Sequence, residues 1–262
     1  MSKAVLAGRH AFVTGAGRGI GAVIAQRLLE EGASVTVSGR KRAPLDELVA
    51  KLGGAGSSRQ IQAVTADVSD AQEMREAVET AARTFGAVDI LVNNAGQANS
   101  APLHKADDAL WNAMLAVNLT GTYNGIRAAL PSMLERRFGR IINIASTAGL
   151  TGYAYVTAYC AAKHGVIGLT RSLAMEVVAR GITVNAICPG YTDSDIVREA
   201  IANIQAKTGR SAEEAMQSLV ANNPQRRLVR PGEVANAVAW LCHPDSDGIT
   251  GQSIAVAGGE IM

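Results

Sequence analysis

Aromatic side chains make up only 4 % of this 262-residue sequence, although 48 % of it is hydrophobic. The core must therefore come from Ala, Val, Ile and Leu, which suit helices packed on a parallel sheet. Charge of one sign is also scarce: 25 Lys and Arg face 23 Asp and Glu, a net +2. That balance leaves no footprint for nucleic acid. Cysteine occurs three times, as Cys160, Cys188 and Cys242, an odd and scattered set that argues against a disulfide framework. The four histidines, His10, His104, His164 and His243, show no metal-ligand spacing, so no metal is expected. No run of 18 uncharged apolar residues occurs, which excludes a membrane-spanning helix on length. The first residues lack the apolar stretch of a signal peptide, and the expectation is a cytoplasmic protein with no membrane partner.

What is present alternates. Runs at 9–14, 34–38, 60–66, 88–92, 140–145, 182–187 and 252–256 predict strands, with helical patterns near 19–31, 43–52, 70–85, 107–136, 155–179 and 231–242. Such alternation implies an α/β fold: a doubly wound parallel sheet with helices on both faces, in one domain over 1–262. Residues 53–58, rich in Gly and Ser, read as a loop. Residues 191–229 break the alternation with two polar amphipathic segments, 194–206 and 211–222, parted at Gly209. An insertion of this length reads as a lid over a substrate site, with Ile196, Val197, Ile201, Met216 and Val220 as candidate apolar walls.

The first strand ends at Thr14 and runs into Gly15, Gly17, Gly19 and Gly21 before a helical pattern begins. Strand, glycine-rich turn and helix put backbone N–H groups and a positive helix end against a pyrophosphate. The second strand ends Ser38, Gly39, Arg40, Lys41 and offers no carboxylate for the adenosine ribose of NAD. With Arg18 in the turn itself, cations stand where a 2′-phosphate would be gripped, which favours NADP(H) over NAD(H).

Tyr159 and Lys163, four residues apart, share one face of a helix. A phenol with an ordinary pKa of about 10 exchanges protons poorly near pH 7. An ammonium several Å away would favour the phenolate, by roughly two pKa units in a partly dry cleft. A hydroxyl from Ser146 beside that phenol completes an acid–base site for interconverting a carbonyl and an alcohol.

In this order and spacing, the glycine turn, Asp67, Asn93 to Gly96, Asn118, Ser146, Tyr159, Lys163 and Pro189 to Thr192 resemble the short-chain dehydrogenase/reductase family over almost the whole chain. The resemblance implies a Rossmann-type sheet of about seven strands. It implies cofactor contacts from Gly15, Gly17, Arg18, Gly19, Ile20 and Gly21, from Gly39 and Arg40, and from Asp67 and Val68 at the adenine. Asn94, Ala95 and Gly96 would line the cofactor, and Pro189, Gly190 and Thr192 would meet the carboxamide. Asn118, Ser146, Tyr159 and Lys163 would form a catalytic tetrad, with Lys163 also on the ribose hydroxyls and Asn118 ordering a proton-relaying water. Gln97, Tyr153, Tyr191 and Ile196 are placed at the substrate pocket.

Residues 144–149 and 163–166 are similar to those of bacterial 3-oxoacyl-carrier-protein reductases, 3-oxoacyl-CoA reductases and polyketide ketoreductases. That branch implies NADPH-linked reduction of a 3-oxoacyl thioester, whose anionic carrier the lid cations Arg198, Lys207, Arg210, Arg226, Arg227 and Arg230 would steer. A dehydrogenase of a secondary, cyclic or sugar alcohol is the alternative, and a non-catalytic dinucleotide-binding protein a remote one. The resemblance also implies a homotetramer built on long helices and the C-terminal segment.

Overall fold

Short runs of Val, Ile and Leu without polar alternation make strands that bury both faces. In the computed structural model, which describes residues 4–53 and 60–261 and of Ile196 only the backbone, seven such strands form one sheet. They are β1 (His10–Thr14), β2 (Ser34–Gly39), β3 (Ile61–Thr65), β4 (Ile90–Asn93), β5 (Gly139–Ile144), β6 (Ile182–Pro189) and β7 (Ser253–Val256). All neighbours pair in parallel, in the order β3-β2-β1-β4-β5-β6-β7. The central β5 and β6 are buried at every position, while the edge strands β3 and β7 contain no fully buried residue.

Helices α1 (Gly19–Glu30), α2 (Arg42–Leu52) and α9 (Pro231–Cys242) cover one face through Ile24, Leu28, Leu45, Val234 and Val238. Helices α3 (Ala71–Phe85), α5 (Gly121–Arg136) and α6 (Thr157–Val177) cover the other through Met74, Val78, Ile126, Met133 and Leu173. The chain reverses its direction of travel across the sheet between β1 and β4. At such a reversal the crossovers leave to opposite faces and open a crevice at the strand carboxyl ends.

The helix expected over 107–136 is more elaborate. It comprises α4 (Asp108–Leu115), a π-helical stretch at Ala116–Thr120 and α5. A π-bulge adds a residue to a turn, which re-aims a side chain and recurs at functional sites. It falls on Asn118. The helix expected from 155 starts at Thr157, because Tyr155 takes a left-handed φ of 69°. Between β6 and α9 stand α7 (Asp195–Thr208) and α8 (Ala212–Leu219), joined through a left-handed Gly209. Most of the Gly- and Ser-rich loop, 54–59, lies outside the described residues. Among the described residues no helix is long and apolar enough to cross a membrane.

Candidate active site at the strand ends

The glycine turn is fastened to the end of β4. Thr14 Oγ1 accepts the backbone N–H groups of Asn94 and Ala95, each at 3.0 Å. The Asn94 amide returns bonds to the carbonyls of Thr14 and Gly15. So close is this approach that a Cβ on Gly15 would lie 2.7 Å from Ala95 Cα, and one on Gly21 would lie 2.6 Å from the Gly15 carbonyl. Gly15 also has φ of 63°. Glycine is required at both places. Helix α1 follows with Gly19, Ile20 and Gly21 in its first turn, no side-chain cap from Arg18 and no acidic residue. Its N–H groups are left open to an anion, so the turn fits a dinucleotide pyrophosphate. Gly17 lies in the same turn, against Pro44.

At the end of β2, Gly39 closes the strand and Arg40 is exposed, 3.9 Å from the Asp67 carboxylate. Burial works to raise the Asp67 carboxyl, yet hydrogen bonds from Ser69 and the charge of Arg40 bring it below its usual value. Val68 is buried, and its carbonyl accepts from Asn124. Ser38 Oγ is buried and has no partner among the described residues. Arg18 is held 3.2 Å from Asp195 at the start of α7, and Ser194 lies against Gly19. The sequence offered no sign of that tie.

The chemistry-bearing residues come from three elements. Ser146 follows β5 with extended backbone; its Oγ accepts the Ala148 N–H at 3.1 Å and so opens the short turn 147–149. This turn sits on α6, where a Cβ on Gly149 would meet the Lys163 carbonyl at 2.8 Å. On α6, buried Lys163 donates to the Ile144 carbonyl at 2.8 Å, with its Nζ 5.6 Å from the centre of the Tyr159 ring. Burial pushes the Tyr159 phenol up to about 12, with the Ser146 hydroxyl pulling against it. Burial also lowers the Lys163 ammonium, to about 8. Burial sets the direction for the phenol here, which stands above its ordinary value and not below it as the spacing to Lys163 led one to expect.

Asn118 is fully buried and spends its amide on protein groups. Its Nδ2 donates to the carbonyls of Gln97 and Met114, and its Oδ1 accepts the Gln97 N–H. The π-bulge therefore holds the loop after β4 in place, with Gly96 beside both Asn118 and Lys163. Pro189 ends β6, and Gly190 and Thr192 follow, Thr192 donating to the Gly190 carbonyl. A parallel bridge between Thr192 and Val229 joins the two feet of the 191–229 segment.

Of the expected pocket residues, Gln97 donates to the Ala113 carbonyl, and Tyr153 and Tyr191 meet edge to face at 6.3 Å. The Ile196 side chain lies outside the described residues. Val197 and Val220 are buried; Ile201 and Met216 are only partly so. Sequence reasoning missed Glu260, whose carboxylate accepts the Tyr153 hydroxyl at 2.6 Å. It stands 107 positions from its partner in the chain, and no motif marks it. All three cysteines are free and buried, and among the described residues no cluster of His, Cys, Asp or Glu gathers to hold a metal.

Residues 9–205 match the short chain dehydrogenase family. The 3-oxoacyl-[acyl-carrier-protein] reductase FabG of Vibrio harveyi is 38 % identical over 257 residues, 98 % of this chain and 99 % of that protein. The D-beta-hydroxybutyrate dehydrogenase of Cupriavidus necator is also 38 % identical, over 90 % of this chain and 92 % of its own length. A crystal structure of an actinorhodin polyketide ketoreductase variant with NADPH superposes with a TM-score of 0.92 at 38 % identity, covering 96 % of this chain and 97 % of that one.

Proposed function

The chain belongs to the short-chain dehydrogenase family and is an NAD(P)-dependent oxidoreductase; on that premise we propose that it reduces a ketone to an alcohol with NADP(H). One arrangement carries this reading: Ser146 follows the end of β5 beside the α6 residues Tyr159 and Lys163, with the Lys163 Nζ 5.6 Å from the centre of the Tyr159 ring. When bound, the dinucleotide supplies the hydride, and this chain supplies position, a proton and a polar environment. Gly15 to Gly21 and the open end of α1 hold the phosphates. Arg18 and Arg40, with no carboxylate following Ser38, select the 2′-phosphate. Ser146 donates to the ketone oxygen and orients it. As that oxygen gains charge, Tyr159 gives it a proton, since an alkoxide is a stronger base than even this phenolate. Lys163 then balances the phenolate left behind and helps restore its proton.

We assign a 3-oxoacyl thioester as the substrate, supported by the match to a 3-oxoacyl-[acyl-carrier-protein] reductase along nearly the full length of both chains. The relative named D-beta-hydroxybutyrate dehydrogenase favours a second reading, oxidation of a hydroxy compound. Segment 191–229 acts as the lid in either case. Its cations are less free than the sequence suggested: Arg198 pairs with Asp193 and Asp195, and Arg227 and Arg230 pair with Glu233. Steering of an anionic carrier falls to Lys207, Arg210 and Arg226, fewer cations than the six expected. The exposed Trp111, Tyr123, Met175 and Trp240 favour self-association, assigned here as a homotetramer, which light scattering on the purified protein would test.

The deciding assay follows NADPH and NADH oxidation with acetoacetyl-CoA, cyclic ketones and sugar ketones. Thioester reduction preferring NADPH is expected. Brisk oxidation of a simple alcohol with no thioester activity would overturn the assignment in favour of the second reading.

A further inference from the structure

The last described residues bring a carboxylate to the rim of the crevice. Glu260 Oε1 accepts the Tyr153 hydroxyl at 2.6 Å, and that hydroxyl also lies 3.0 Å from Thr147 Oγ1. A phenol has one proton; with it given to Glu260, the Thr147 hydroxyl becomes the donor to Tyr153. The chain Glu260–Tyr153–Thr147 thus ends one residue from Ser146. On the other side, a Cβ placed on Gly190 would lie 3.0 Å from Glu260 Oε2, so the carboxylate also borders the segment that follows β6. Tyr191 stands edge-on to Tyr153 at 6.3 Å and completes this wall. Burial and the Glu260 bond both raise the Tyr153 phenol, which therefore stays a donor to the acid across the physiological range. Among the described residues, no cation pairs with Glu260 and its Oε2 has no hydrogen-bond partner.

From this arrangement we propose that Glu260 selects substrates by charge: the ketone enters as a neutral ester or thioester carrying a hydrogen-bond donor for Oε2, and the free 3-oxo acid is turned away. The inference rests on the reading of Ser146 and Tyr159 as the ketone-binding pair and names the class of ketone they receive. A substrate carboxylate two bonds from the reacting carbonyl would face the Glu260 carboxylate in a partly dry cleft, where like charges repel far more strongly than in water. An amide N–H or hydroxyl on a neutral chain would instead find an unused acceptor.

The test compares the N-acetylcysteamine thioester of 3-oxobutanoate with 3-oxobutanoate itself, the same ketone without and with the charge. Wild type should favour the thioester by about 30-fold or more in kcat/KM with NADPH. Glu260→Gln keeps the shape and still accepts from Tyr153; it should reduce that ratio by about tenfold, while Glu260→Asp, which keeps the charge, should restore much of it. The second readout needs no turnover: quenching of bound-NADPH fluorescence by methyl 3-hydroxybutyrate and by free 3-hydroxybutyrate should show the same discrimination and the same loss in Glu260→Gln. An unchanged ratio in Glu260→Gln, by rate and by binding, overturns the role of Glu260. Binding discrimination that tracks Glu260 without reduction of either ketone would instead overturn the reductase reading and leave the charge filter standing.

Discussion

Around Ser146, Tyr159 and Lys163 the polar groups are buried or half-buried and matched to backbone: Lys163 to Ile144, Asn118 to Gln97 and Met114, Asn94 to the glycine turn. The 191–229 segment is held otherwise. Besides the Thr192–Val229 bridge and a few buried apolar residues, it relies on surface ion pairs: Arg18 to Asp195 and Arg227 to Glu233 across its borders, and Arg198 to Asp193 and Asp195 within it. Buried hydrogen bonds fix geometry and are costly to break. Exposed ion pairs are weak, screened by salt and easily exchanged. One region is built to hold atoms still and the other to let go.

The largest blow to the rigid half should come from Tyr159→Phe. Removing the proton that the proposed mechanism transfers should lower turnover by a factor on the order of 100 or more, with NADPH affinity nearly intact. Steady-state rates and a cofactor titration check both parts, and a Phe variant that kept most of its turnover would refute the assignment.

Lys163 sharpens the contrast between precision and stability. Its pKa falls from 10.5 to about 8 on folding, so below pH 8 the folded state holds a charge it would rather shed. Unfolded chain binds more protons than folded chain between about 8 and 10.5, and stability from this group rises with pH across that window. Lys163→Met removes this charge but also leaves the Ile144 carbonyl unpaired, a loss of about 1–3 kcal/mol; relative to the variant, wild-type stability should therefore rise from pH 7 to pH 10. Turnover and cofactor affinity should fall at least tenfold. Thermal melts at the two pH values test the sign.

At the cofactor edge, Gly39→Asp with Arg40→Leu exchanges an attraction for the 2′-phosphate for a repulsion. The kcat/KM preference should move toward NADH by about 10- to 100-fold. A wild type already preferring NADH would defeat the argument from the missing acid.

The smallest effect belongs to the ion-paired segment. Asp195→Asn releases Arg18 from α7, and KM for NADPH should fall about two- to threefold at low salt, with the difference gone in strong salt. An equal gain at every ionic strength would mean that Asp195 acts by something other than charge.

Much of the rigid half was legible beforehand, because local spacing encodes it. Gly15 and Gly21 mark backbone contacts no side chain survives, Tyr159 and Lys163 share a helix face by their spacing of four, and the unalternating runs of β5 and β6 are those of doubly buried strands. The π-bulge at Asn118 was not legible: a single extra residue in one turn barely disturbs helical periodicity. Nor was the phenol near 12, since sequence shows a neighbouring cation but not how much water folding removes.

The sequence by itself determined the alternating α/β fold, the glycine-rich turn between β1 and α1 and the shared helix face of Tyr159 and Lys163, because each depends on local patterns along the chain. Only the tertiary structure decided that Asp195 holds Arg18, that Lys163 leans on Ile144, and that Glu260 stands beside Tyr153. Those are contacts between residues separated by 177, 19 and 107 positions. Their energies depend on distance and burial, which chain order does not encode.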